Sequence, residues 1–226
     1  MQKTILIVDD EKDIIDLLSY NLSSKGYNVI TAGNGAEALL KVNSDVDLIL
    51  LDVMMPKMNG YDVCKSVRNN PTSSDIPIIL LTAKSSTSDE YEGLACGADD
   101  YIVKPVSIKN LLLRINNIFK RLRLSSKESQ VVSYSSISVD CERCAAFVLG
   151  KQIRLTKTEL SLLLMLIRSP GKVFRREEIL NKIWGEDTFV TDRTIDVHIR
   201  KLRAKIEKEE KIIRTSHGLG YYVDKK

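Results

Sequence analysis

The sequence predicts an α/β protein in two parts. Residues 1–123 read as a doubly wound, five-stranded parallel sheet, and residues 131–226 as a second domain with an N-terminal β platform, three helices and a terminal hairpin. Three observations lead to this. Short aliphatic runs alternate with amphipathic stretches through the first half, the pattern of strand–helix–strand crossovers. The alternation stops near Arg123, where the polar, serine-rich LSSKESQ (Leu124–Gln130) reads as a linker of a few residues. The charge balance then changes sign. Residues 1–123 carry 14 Lys and Arg against 16 Asp and Glu, a net of −2, whereas residues 124–226 carry 20 against 14, a net of +6.

The elements follow in order. Aliphatic runs at Thr4–Val8, Tyr27–Thr31, Val46–Leu51, Ile76–Thr82 and Asp100–Val103 are the five strands. The near-continuous apolar character of DLILL and PIILL suits strands buried on both faces, and right-handed crossovers between them require helices on both sides of the sheet. In DEKDIIDLLSYNLSSKG, Ile14, Leu17, Leu18 and Leu22 recur at helical spacing and Gly26 supplies the stop. Beyond the linker, β-like segments come first, at Val131–Val139, Ala145–Leu149 and Gln152–Leu155. Three helical patterns follow, two of them joined across Pro170-Gly171, and IIRTSHGLGYYV closes the chain as two β-like runs around a glycine-rich turn.

Composition excludes several classes. With 43% hydrophobic and 28% charged residues the chain has the make-up of a soluble globular protein. No apolar run approaches the roughly 18–20 residues of a membrane span, and acids interrupt the N-terminal apolar stretch at once, so no membrane partner and a cytoplasmic location are expected. Four cysteines are too few for a disulfide scaffold. Cys141 and Cys144 form a CxxC with no second pair, and His198 and His217 are the only histidines, so ordinary cysteines in a strand or turn are expected rather than zinc.

ILIVDDEKD (Ile5–Asp13) ends an apolar strand on three acids, Asp9, Asp10 and Glu11. Adjacent like charges destabilise one another, so solvent, a metal or a basic partner must offset them. In an open parallel sheet, functional groups gather at the carboxyl ends of the strands. Those ends supply Asp9 and Asp10 after the first strand, Asp52 after the third, Thr82 after the fourth and Lys104 after the fifth. Three carboxylates with few compensating cations suit Mg²⁺. A carboxylate beside a divalent cation, with a lysine and a hydroxyl near, can attack a phosphoryl group and form an aspartyl phosphate.

VDDE, LDVMMPKMNG, LTAK and GADDYIVKP resemble the receiver domain of bacterial two-component response regulators, a flavodoxin/CheY-like fold. The resemblance implies that Asp52 is the phosphoacceptor. It implies that Asp10 binds Mg²⁺ directly, Asp9 mostly through water, and that the Met54 carbonyl adds a ligand. Thr82 and Tyr101 would be the switch pair, Lys104 would contact the phosphoryl group, and Lys104–Pro105 would be cis. A phosphatase of the haloacid-dehalogenase type is the rival. Glu11 follows Asp9 by two, but the D-x-D-[TV] context and a cap domain are absent, so a phosphoacceptor and not an enzyme is expected.

In TDRTIDVHIRKLRAKI (Thr191–Ile206), Ile195, Ile199, Leu202 and Ile206 form one apolar stripe, with Thr191 or Asp192 as N-cap. The opposite face is expected to carry Arg193, Val197, Arg200, Lys201 and Ala204, cations around small apolar side chains that suit a major groove. LTKTELSLL, ILNKIWG, RTIDVHIRKLRAKI and GLGYYV resemble the winged helix-turn-helix DNA-binding domain of the OmpR/PhoB subfamily. The resemblance implies a transcription factor on tandem direct-repeat promoter DNA, with a sensor histidine kinase upstream and RNA polymerase as a further partner.

Two departures from the subfamily stand out. His217 occupies the wing position where Arg is frequent, and Tyr222 a position that is commonly basic. Subfamily receivers also pair as homodimers through the face of their fourth helix, fifth strand and fifth helix. The matching charge pairs here are Glu90 with Asn110, Cys96 with Arg114 and Asp100 with Arg121. Only the last keeps opposite charges, so a weaker or altered phospho-dimer is expected.

Overall fold

A computed structural model describes residues 2–83, 96–124, 131–185, 192–207 and 211–225, without the side chains of 121–124 and 192. The chain divides into two compact units, Met1–Leu112 and Leu113–Lys226. The linker expected at 124–130 falls, from 125 onward, outside the described residues.

In the first unit, β1 (Thr4–Val8), β2 (Asn28–Ala32), β3 (Leu48–Asp52), β4 (Ile78–Thr82) and β5 (Asp100–Val103) form one sheet in the order β2-β1-β3-β4-β5. Every pairing is parallel. All five residues of β1, β3 and β4 are buried, as two-sided coverage demands. α1 (Lys12–Ser23), α2 (Gly35–Lys41) and α3 (Gly60–Asn69) are the described helices before β5, α4 (Ile108–Leu124) follows it and spans the division between the units, and the helix expected before β5 falls in residues 84–95, outside the described residues. In α1 the buried positions are Leu18 and Leu22; Leu17 shares the predicted stripe yet is 51% exposed. Strand four begins two residues later than the aliphatic run suggests. Pro77 has no N–H to give the ladder, although its carbonyl accepts from Ile49 at 2.9 Å.

The order places β1 between β2 and β3, so the chain reverses direction across the sheet at β1 and opens a crevice at the carboxyl ends of β1 and β3. Gly60 holds α3 against this rim. A Cβ there would lie 2.1 Å from the Asp52 carbonyl oxygen, so only glycine allows the approach.

The second unit opens with β6 (Val131–Tyr134), β7 (Ile137–Asp140), β8 (Ala145–Val148) and β9 (Lys151–Ile153), an antiparallel sheet in sequence order. The predicted single run Val131–Val139 is thus a hairpin, turning at Ser135 with φ 52°. The CxxC is the next turn: Cys141 is buried, Cys144 takes φ 50°, and both thiols are free. α5 (Lys157–Ile167) starts on a capping box, in which the Thr156 hydroxyl accepts from the Glu159 amide and the Glu159 carboxylate accepts from the Thr156 amide. α6 (Arg176–Ile183) and α7 (Asp192–Ile206) follow, then β11 (Ile213–Ser216) and β12 (Gly220–Val223). The final sheet has three strands rather than two, because β10 (Phe174–Arg175) pairs with β12. A two-residue strand leaves no periodic signal. The core of this unit joins α5, α6 and α7 around Trp184, Phe174 and the aliphatic residues of both sheets.

Candidate functional site

The polar groups of the first unit meet because of sheet register. Val8 pairs with Leu51, so Asp9 and Asp52 stand side by side one step further along β1 and β3. Asp52 pairs with Leu81, which brings Thr82 alongside, and Thr82 pairs with Val103 immediately before Lys104. The Lys104 amide donates to the Thr82 carbonyl at 2.7 Å, and Lys104–Pro105 is cis, as the resemblance implies. Lys104 Nζ lies 2.7 Å from Asp52 Oδ1, 2.9 Å from Asp9 Oδ2 and 3.3 Å from Glu11 Oε1.

Asp9 is 0% and Asp52 2% exposed, whereas Asp10 faces solvent. One carboxylate oxygen from each of the three lies within 4.8 Å of the others. At that separation each like-charged pair repels by about 3 kcal/mol at an effective dielectric of about 20. Burial raises the pKa of Asp52 above the ordinary carboxylate value; the Lys104 hydrogen bond and charge oppose this, and the Asp9 charge adds to it. Burial works against the ammonium of Lys104, but its bonds to Asp52 and Asp9 outweigh that and raise its pKa. Lys104 therefore answers for Asp52, Asp9 and, at the edge, Glu11, while Asp10 faces solvent. Oxygen donors at this density fit a small divalent cation, and they are the one group of three or more potential metal ligands among the described residues.

Other positions named from the sequence fall as follows. Thr82 is buried, Tyr101 is half-buried against the core, and Met54, directly beyond the acidic rim, is 58% exposed. Of the positions named for the dimer face, Cys96, Asp100 and Arg114 are buried and Asn110 is half-buried. Cys96 belongs to the core cluster and its carbonyl accepts from Cys64 Sγ at 3.6 Å, while the Asp100 carboxylate accepts from the Tyr101 amide at 2.8 Å. Glu90 and the side chain of Arg121 lie outside the described residues, as does Thr191 and the side chain of Asp192, the expected N-caps of α7.

On α7 the exposed positions are Arg193, Asp196, Arg200 and Ala204, with Lys201 half-buried. Val197, expected on this face, is only 6% exposed. The reason is that α7 packs on both α5 and α6, so its covered sector holds Thr194, Ile195, Val197, His198, Ile199, Leu202 and Ile206. At about 100° per residue that sector spans roughly 200°, twice a single stripe. His198 turns inward, its ring 5.5 Å from that of Trp184. The outward face is displaced toward Asp196, which the sequence reading missed although it stands three residues from Arg193 and four from Arg200. His217 is exposed in the β11–β12 turn and Tyr222 is half-buried.

Comparison with known proteins agrees with both halves. Residues 5–116 match the response regulator receiver domain, and residues 150–223 match the C-terminal domain of transcriptional regulatory proteins. The chain is 39% identical to the alkaline phosphatase synthesis transcriptional regulatory protein PhoP of Bacillus subtilis, covering 99% of this chain and 98% of that one. It is 40% identical to the response regulator ArlR of Staphylococcus aureus, covering 97% and 98%. Among solved structures, a RitR mutant aligns over 99% of this chain and 100% of its own with TM-score 0.76 and 32% identity. DrrB of Thermotoga maritima, an OmpR/PhoB homologue, aligns over 100% of both chains with TM-score 0.54 and 30% identity. With a five-stranded parallel receiver sheet, a C-terminal regulatory domain and relatives matched nearly end to end, the chain belongs to the OmpR/PhoB family of two-component response regulators, transcriptional regulators with histidine kinases and DNA as partners.

Proposed function

We propose that Asp52 accepts a phosphoryl group from a sensor histidine kinase and that this controls promoter binding by α7. The observation that carries the reading is the placement of Lys104 Nζ 2.7 Å from Asp52 and 2.9 Å from Asp9 at the strand ends. An Asp52 oxygen forms the new P–O bond as the phosphorus–nitrogen bond of a phosphohistidine breaks, and the electron pair leaves with the imidazole. Lys104 is released from Asp52 as that carboxylate is esterified, and its ammonium turns to the phosphoryl oxygens. Thr82 donates its hydroxyl to one of them, and Tyr101 follows into the space beside it. Asp9, Asp10, Asp52 and the Met54 carbonyl would hold Mg²⁺, which supplies the positive charge that the carboxylates and the incoming phosphoryl group lack.

In the second domain, taken as residues 131–226, α7 enters the major groove. Arg193, Arg200 and Lys201 contact phosphates or guanine edges, and Ala204 faces bases. Val197, being covered, supports the helix rather than touching DNA. His217 meets the adjoining groove from the wing. The receiver, taken as residues 1–123, pairs as a homodimer on tandem repeats, held more by apolar contacts than by charge pairs, since Cys96, Asp100 and Arg114 are buried. RNA polymerase is the downstream partner, in the cytoplasm.

The test uses the full chain with acetyl phosphate and Mg²⁺, read by intact mass. Gain of one phosphoryl group by the parent and none by Asp52→Asn is expected. Equal uptake by Asp52→Asn, or none by the parent, overturns the reading.

A further inference from the structure

We infer that Asp196 is a specificity-determining residue that reads a cytosine in the major groove. The inference deepens the proposed DNA-binding role of α7 and rests on it.

Asp196 is an acid on a surface otherwise built to meet phosphates. It is exposed, between Arg193 and Arg200 on the outward face of α7. One of its oxygens is fixed from two sides. Oδ1 accepts from Tyr221 Oη at 2.6 Å and from Arg176 Nε at 3.0 Å. Arg176 in turn donates to Tyr221 Oη at 3.2 Å, and its guanidinium lies 4.9 Å from the centre of the Tyr221 ring. The carboxylate is thus held by Arg176 of α6, which packs beside α7, and by Tyr221 of the middle strand of the terminal sheet. Oδ2 takes no hydrogen bond from the described residues, and the side chain keeps 47% of its surface.

This arrangement has a chemical consequence. A carboxylate near the DNA backbone is repelled unless it accepts a hydrogen bond there. The major groove offers two amino donors, cytosine N4 and adenine N6. Adenine N6 adjoins N7, an acceptor that a carboxylate can only repel. Cytosine presents N4 beside a C–H of its own ring, with no acceptor there, so an ionised acid favours a C·G pair. The Tyr221 and Arg176 bonds hold the acid in place before DNA arrives, which lowers the ordering cost of the contact.

The experiment is selection of binding sites from random double-stranded DNA by the full chain, its isosteric variant Asp196→Asn, and Asp196→Ala. The parent is expected to prefer C·G about tenfold at one position of each half-site. Asp196→Asn moves that preference to A·T, because an amide can donate to N7 and accept from N6. Asp196→Ala reduces it below about twofold, with the other positions unchanged. Identical base preferences in all three proteins overturn the inference, even if affinity falls, since uniform weakening marks a structural strut. If the parent itself selects no sequence, the placement of α7 in the groove fails and the cytosine contact with it; selection by the parent with unaltered variants removes the cytosine contact alone.

Discussion

The acidic pocket and the outward face of α7 are both charged, yet they are assembled by opposite means. In the pocket, Asp9 and Asp52 lie at 0% and 2% exposure and are tied by one lysine within 2.9 Å. On α7, Arg193 and Arg200 stand in solvent, and their number matters more than their exact placement. Desolvated charges are costly to leave unpaired, whereas exposed ones are screened and each contributes little. The pocket therefore concentrates its charge in a few buried groups, and the outward face of α7 spreads it. Asp196 is the exception, a surface residue held by two partners in the manner of the pocket.

Lys104→Met should show the difference most sharply. It leaves Asp9 and Asp52 buried without their cation, and a loss of about 3–5 kcal/mol is expected in urea unfolding with chelator present. Excess Mg²⁺ should recover part of this, by about 2.7 kcal/mol at 100-fold excess over its dissociation constant. A variant as stable as the parent in chelator would mean that the buried acids are not held by this lysine.

Gly60→Ala tests whether the pocket tolerates movement of its backbone. The added Cβ meets the Asp52 carbonyl oxygen at 2.1 Å, and that oxygen belongs to the main chain rather than to a pliable side chain. A loss of about 1–3 kcal/mol by urea unfolding, together with slower phosphoryl uptake, is expected. Unchanged stability and uptake would show that α3 slides freely over the rim.

The smallest effect belongs to the exposed surface. His217→Ala removes a solvent-facing wing residue, so DNA affinity should fall by less than about 1 kcal/mol, against a larger, salt-dependent loss for Arg200→Ala. Fluorescence anisotropy at two salt concentrations measures both. A His217 effect exceeding that of Arg200 would put the principal contact on the wing and invert the comparison.

How much could be read from the sequence differs between the two regions for the same reason. A parallel sheet fixes which residues come to its rim. Once the aliphatic runs were recognised as strands, the meeting of Asp9, Asp52, Thr82 and Lys104 followed from their positions at strand ends. The outward face of α7 does not follow from its own sequence, because the width of a helix's covered sector depends on how many neighbours it has. One apolar stripe implied one neighbour, and the second neighbour buried Val197 and His198 and exposed Asp196 instead. At the dimer-face positions, resemblance says which residues correspond, not that Cys96 packs into the core. Phe174–Arg175 could not have been recognised as a strand, since two residues carry no alternation.

Glu159 carries a consequence of another kind. Its carboxylate completes the capping box that begins α5, and the same Oε2 receives Lys205 Nζ from the last turn of α7 at 2.6 Å. A single oxygen thereby links the birth of one helix to the anchoring of another 46 residues away. Substitution there would be felt twice, once in how readily the domain nucleates and once in how stiffly it offers its far helix to a ligand.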